Sequence, residues 1–183
     1  MSEITELLTR VRGGDSAALG RVFDALYDEL RRLARRSLDD GQRTLSPTVL
    51  IHEAYIRLLG NDQLALNDRH HFLACAARAM RAICVDHVRR TTALKRGGPG
   101  SDAPLELAES VPDALPTGEE MLVLDQALDR LDALSPRQRE VVELRYFAGL
   151  EFAEIAALLE VSERTAKREW ERARAFLYTQ LKG

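Results

Sequence analysis

The chain has 183 residues, 45% hydrophobic and 30% charged, a balance that marks a folded protein and excludes a disordered tail. Aromatic residues are only 5% and the apolar set is mostly Leu, Ala and Val, so an all-α fold is expected. No run approaches the roughly 20 apolar residues of a membrane span, and the opening MSEITELLTRVRGGD is acidic and amphipathic, unlike a secretion signal, which points to the cytoplasm and no membrane partner. The net charge of −3 hides local imbalance: residues 61–96 hold seven Arg/Lys against three Asp/Glu, and residues 97–135 hold nine acids against one Arg. A mildly acidic chain of this kind still offers a basic patch to nucleic acid.

In chain order, Leu7, Leu8 and Val11, then Leu19, Val22, Phe23, Leu26, Leu30 and Leu33, recur at helical spacing. This first segment predicts three or four helices over about 3–92. Gly13-Gly14-Asp15 ends the first helix, and Asp15 or Ser16 caps the next. SLDDGQR at 37–43 is a loop. Ser46 then caps a helix with Pro47 at its first position, where a missing N–H costs nothing. GNDQLALND at 60–68 is a second loop, and a long helix is expected from about His70 to Thr92.

Residues 97–118 contain four of the six prolines and four of the eleven glycines, are acidic and lack helical period, so they predict a linker. The domains expected on either side are 1–96 and 119–183. In the second, Leu122, Leu124, Leu128 and Leu131 mark one helix. Ser135-Pro136 opens another with Val141, Val142 and Leu144 inward, and Gly149 ends it. A third, about 151–159, carries Phe152, Ile155, Ala156 and Leu159 at i, i+3, i+4 and i+7. Ser162 caps the last, running to about Leu181 with Ala166, Trp170, Ala173 and Leu177 buried.

FAEIAALLEVSERTAKREWERAR has the layout of a helix-turn-helix, with Val161 pointing inward from the turn. Burying the stripe leaves Arg164, Thr165, Lys167, Arg168, Glu171 and Arg172 outside. Arg suits guanine O6/N7 bidentately, and Lys and Thr reach phosphates, so this face predicts major-groove binding. Glu160 stands where many such turns carry glycine, a cost if the position needs positive φ. Cys75 and Cys84 lie nine residues apart on one helix and point to opposite sides, so they do not pair. Cys84 with His87 lacks the further ligands a metal site needs, and His70 and His71 diverge.

TVLIHEAYIRLL and FLACAARAMRAICVDHVRR, then the linker, then LDRLDALSPRQREVVELRYFAGLEFAEIAALLEVSERTAKREWERAR, resemble the extracytoplasmic-function group of bacterial sigma factors over roughly 5–180. The resemblance implies an amino-terminal region 2 that binds the β′ clamp helices of core RNA polymerase and the −10 element. It implies a carboxy-terminal region 4 that binds the β flap and the −35 element. The long helix is expected to expose Arg78, Arg81, Arg89 and Arg90, with Lys95-Arg96 after them, as a phosphate footprint. By the same analogy the 60–68 loop forms a pocket for a flipped −10 base, with Asn61 and Asn67 as amide donors or acceptors. The family's Arg-Asn pair in the −10 helix is Arg81-Ala82 here. The linker tethers the two domains and raises the effective concentration of each at its own element.

Set against the family's DAEDLVQETFLRLW, the stretch SPTVLIHEAYIRLL puts Ser46, Pro47, Thr48 and Val49 on the four residues DAED. Those acids face basic residues of the β′ clamp in the family. The resemblance thus makes Thr48, Val49, His52, Glu53 and Arg57 the docking residues, with charge complementarity removed. Thr48 occupies the glutamate's place, and a phosphate there restores charge and acceptor oxygens at a helix N-terminus, where anions are favoured. A branch of the family with this acid-poor motif is understood to be controlled by Ser/Thr protein kinases, which makes such a kinase an expected partner. An anti-sigma factor is a further partner the family admits. A stand-alone regulator reading paired half-sites is the second reading, without a heptad-like dimer helix to support it. There is no Gly-rich phosphate loop, nucleophile elbow or metal-ligand cluster, so neither an enzyme nor a cofactor is expected.

Overall fold

The computed structural model describes residues 2–38, 45–61, 66–94, 116 and 118–182, and among them every regular element is a helix. They are α1 (Glu3–Arg12), α2 (Ser16–Ala25), α3 (Tyr27–Ser37), α4 (Pro47–Leu59), α5 (Arg69–Leu94), α6 (Gly118–Leu134), α7 (Pro136–Val142), a π-helical turn (Glu143–Phe147), α8 (Phe152–Leu158) and α9 (Glu163–Lys182). The fold is therefore all-α. The chain divides into two compact units, Met1–Ile83 and Cys84–Gly183. The expected linker at 97–118, apart from Pro116 and Gly118, lies outside the described residues, as do 39–44 and 62–65 of the two loops.

In the first unit the sequence signals for helix ends are met by side-chain caps. Ser2 Oγ accepts from the Thr5 amide, Asp15 Oδ1 from Ala18 and Ser46 Oγ from Val49. Gly14 takes φ 90°, a left-handed conformation that lets α1 turn back onto α2. Arg10 spans that turn to Asp15 at 2.6 Å and holds the Asp15 carboxyl below its ordinary range. Among the described residues, five helices occur where three or four were expected, because the apolar run from Leu19 to Leu33 breaks at Leu26. Leu26 leaves helical geometry at φ −109°, ψ 19°, yet its side chain is buried, so the apolar period runs through the break and conceals it.

Leu8, Leu19, Leu30, Leu50, Leu66, Phe72 and Met80 are fully buried and form the centre of this unit. Phe23 on α2 meets Tyr55 of α4 and Phe72 of α5 edge-on, with ring centroids 5.1 and 5.3 Å apart. Asp68 starts α5 by accepting from the His71 amide, and Arg69 reaches Glu29 on α3 at 2.5 Å. The hydrogen bond from Arg69 holds the Glu29 carboxyl below its usual range. Cys75 and Cys84 are thiols that form no disulfide. Burial raises both, Cys84 to about 11, so neither is a ready nucleophile.

The second unit builds on α6, whose Met121, Leu124, Leu128 and Leu131 are buried. Ser135 caps α7 as expected, its Oγ accepting from Gln138, with Pro136 at the first position. Arg139 then ties α7 to α6, lying 3.2 Å from Asp129, 3.5 Å from Asp132 and 3.5 Å from the buried Glu143. The helix widens into a π turn at Glu143–Phe147, closed by the Ala148 amide donating to the Glu143 carbonyl. Gly149, at φ 75°, ends it where the sequence placed the stop. Glu151 and Glu154 form a capping box at the start of α8.

Candidate nucleic-acid and docking surfaces

α8, a turn and α9 follow one another as the sequence predicted, and the buried stripe of α9 is Ala166, Trp170, Ala173 and Leu177. The turn closes when the Val161 amide donates to the Ala156 carbonyl at 3.0 Å, which forces Glu160 to φ 54°. A side chain at that φ costs about 1–2 kcal/mol. Glu160→Gly is therefore expected to raise stability by about 0.5–1 kcal/mol, since glycine's greater unfolded-state freedom offsets part of the relief. Chemical denaturation checks this, and an unchanged or lower midpoint would count against it.

Ser162 starts α9, its Oγ accepting from the Thr165 amide and lying 2.9 Å from the Thr165 hydroxyl. Arg164, Lys167, Arg168 and Arg172 are exposed and Thr165 is half-buried. Lys167 pairs with Glu163 at 2.8 Å and stands over the Phe152 ring. Arg168 and Arg172 both approach Oε1 of Glu169, at 3.7 and 3.6 Å. Sequence reasoning missed two supports of this frame. Arg145, on the π turn, donates to the Leu150 carbonyl, pairs with Glu151 and stacks on Phe152. Glu169 is itself held by Gln138 of α7. Neither had a local signal, because in each case the partner is chosen by the fold.

On α5, Arg78, Arg89 and Arg90 are exposed, but Arg81 is not. The expectation that Arg81 faces solvent is corrected: it is 4% exposed. The reason is that the buried arc of α5 is wide, taking in Phe72, Leu73, Ala76, Ala77, Met80, Ile83, Cys84 and Val88, and the Arg81 direction falls within it. Arg89 donates to Asp125 on α6 at 3.2 Å, inside the second unit. Asn61 and Asn67 are both exposed at the ends of the 60–68 loop, and Asn67 Oδ1 accepts from Arg12 at 3.3 Å. Residues 62–65 between them are outside the described residues.

α4 buries Leu50, Ile51, Ala54 and Leu58 and turns the opposite stripe to solvent. Thr48, Val49, His52, Glu53 and Arg57 are all exposed. Val49, 44% exposed, and Ile56, 52% exposed, extend this stripe at i and i+7, and Leu59 is exposed beyond them. The first turn contains no acid, and Thr48 is its second helical residue. Among the described residues no group of three potential metal ligands occurs, and no helix is long and apolar enough to cross a membrane.

Among the described residues, α9 thus turns Arg164, Lys167, Arg168 and Arg172 to solvent, and α4 turns out Val49, Ile56 and Leu59 among the polar Thr48, His52, Glu53 and Arg57. The model of the ECF sigma factor family matches residues 1–183, and the chain belongs to that family. It is thus an alternative sigma factor, a transcription initiation factor that works with core RNA polymerase and promoter DNA. No curated protein matches the chain.

Proposed function

We propose that this sigma factor docks on the β′ clamp helices of core polymerase through the exposed α4 stripe, and that phosphorylation of Thr48 by a Ser/Thr protein kinase switches docking on. The observation that carries this reading is the first turn of α4: Ser46, Pro47, Thr48 and Val49, acid-free, with Thr48 in solvent. Val49, Ile56 and Leu59 supply apolar contact area without the opposite charge that steers docking to a basic surface. A phosphate on Thr48 adds about −1.5 to −2 charge and three acceptor oxygens at the second residue of the helix. Helix N-termini favour such a charge by about 0.3–1 kcal/mol, so the modified helix stays intact.

In the same reading, 1–96 forms the docking and −10 domain, 97–118 the tether and 119–183 the −35 domain. Arg164, Thr165, Lys167, Arg168 and Arg172 contact the −35 element. Arg78, Arg89 and Arg90 contact phosphates near −10, and Asn61 and Asn67 flank the pocket for a flipped base. Exposed Val123, Leu134 and Tyr178 suit a contact with the β flap. The factor acts in the cytoplasm, and an anti-sigma factor adds a second level of control.

The test is capture of core polymerase by the unmodified chain, by Thr48→Glu, and by the chain phosphorylated at Thr48 by a co-expressed kinase. Phosphorylation is expected to raise capture by about tenfold or more, with glutamate intermediate because it carries about half the charge. Equal capture by all three removes the switch and leaves Thr48 an ordinary first-turn residue. Failure of all three favours a stand-alone regulator.

A further inference from the structure

We propose that Glu169 is a specificity-determining positioning residue: anchored to α7, its carboxylate sets the resting direction of Arg168 and Arg172 and restrains their binding to phosphates of any sequence. The inference rests on the reading of α9 as the DNA-contacting helix. Glu169 lies at the edge of the buried stripe, its side chain 12% exposed, against 54% for Arg168 and 61% for Arg172. Its Oε2 accepts a 3.1 Å hydrogen bond from Gln138 Nε2, which fixes the carboxylate against α7. That leaves Oε1 facing Arg168 Nε at 3.7 Å and Arg172 Nη1 at 3.6 Å.

Both distances are those of an ion pair and exceed a hydrogen bond. The guanidinium groups are thus steered while their donors stay available for an incoming acceptor. Glu163 acts differently: it is half-exposed and grips Lys167 at 2.8 Å as an ordinary surface pair. Arg164, Arg168 and Arg172 recur every four residues and form one row, where like charges repel. A carboxylate beneath two of them relieves that repulsion and narrows the directions they sample.

The consequence for recognition follows from the two kinds of contact arginine makes. Phosphate attraction depends on net local charge and carries no sequence information, so a nearby carboxylate lowers it. Bidentate pairing with guanine depends on the direction of the planar fork, which an anchored carboxylate favours. Glu169 therefore lowers general affinity and raises selectivity.

Glu169→Gln isolates the charge, because the amide oxygen still accepts from Gln138 and the volume is kept. Glu169→Ala removes the anchor as well. The full chain, phosphorylated at Thr48 and bound to core polymerase, is offered a pool of short random-sequence duplexes, and the best sequence selected by the protein with Glu169 intact is then compared with the pool across a salt series. For Glu169→Gln, affinity for the random pool is expected to rise about threefold, and its salt slope to steepen by about one. The ratio of selected to random binding is expected to fall by about tenfold. The melting temperature should stay within about 3 °C, because the isosteric amide keeps the volume and the hydrogen bond from Gln138. A purely structural Glu169 would lower the melting temperature in the alanine variant and leave ratio and slope unchanged in Glu169→Gln, which overturns the proposal. Arg168→Ala and Arg172→Ala separate the two levels. If they weaken binding of the selected duplex, the reading of α9 stands and Glu169→Gln alone decides. If they leave it unchanged, that reading fails and the proposal falls with it.

Discussion

Phe23→Ala lowers stability by about 4 kcal/mol, the expected cost of emptying a buried aromatic site. The ring lies between Tyr55 and Phe72 and meets both edge-on, so its removal breaks two aromatic pairs and opens a void at the junction of α2, α4 and α5. Each pair contributes about 0.5–1.5 kcal/mol beyond area burial, and the remainder is lost transfer and cavity energy. Against a total of about 5–15 kcal/mol, this brings the first unit close to its limit. Phe23→Leu keeps most of the volume and is expected to cost only about 1–2 kcal/mol. Urea unfolding followed by far-ultraviolet circular dichroism measures both, and a change below about 1 kcal/mol for alanine would contradict the packing described. Because Tyr55 lies on α4, polymerase capture is expected to fall with stability in the alanine variant and to survive in the leucine one.

Arg145→Ala is the second large effect, about 3 kcal/mol, and it falls on the frame that carries α9. The buried guanidinium makes three contacts: a 2.9 Å hydrogen bond to the Leu150 carbonyl, a 3.0 Å ion pair with Glu151, and stacking 4.6 Å from the Phe152 ring centre. They are not equal. Glu151 is 70% exposed, so its pair contributes little. Leu150 is buried, and an orphaned carbonyl there costs about 1–3 kcal/mol. Loss of the cation–π contact adds about 0.5–2 kcal/mol, and the arginine stem also packs. Partly opposing these, Arg145 Nε is buried without an acceptor among the described residues, a cost that alanine relieves. Arg145→Lys keeps a charge but presents a point donor in place of a fork, so partial rescue is expected. Trp170 is the single tryptophan, is buried, and meets Phe152 edge-on, so its fluorescence reports on this region directly. An unchanged fluorescence midpoint in Arg145→Ala would show that the turn before α8 does not depend on this side chain.

The features legible in the sequence are those decided within a few residues. Ser46, Asp15 and Ser135 cap their helices because a short side-chain oxygen reaches an amide three residues on. The α9 stripe of Ala166, Trp170, Ala173 and Leu177 is legible because it repeats at helical period and one side of the helix is covered. The turn's layout singled out Glu160 as standing where many such turns carry glycine, and it takes φ 54°. Arg81 was misplaced because α5 is covered on most of its circumference, and a periodicity argument assumes a helix with one wet side. The break at Leu26 and the π turn at Glu143–Phe147 carry no glycine or proline to announce them.

The chain by itself determined its all-α character, most helix ends and caps, and the family resemblance, since all of these are written in local spacing. Only the tertiary structure decided which charges remain free to act. Gln138 and Glu169 stand 31 residues apart and Arg89 and Asp125 stand 36 apart, so their pairing depends on how helices pack. A charge's direction and environment are set by neighbours distant in sequence, and no local pattern encodes them.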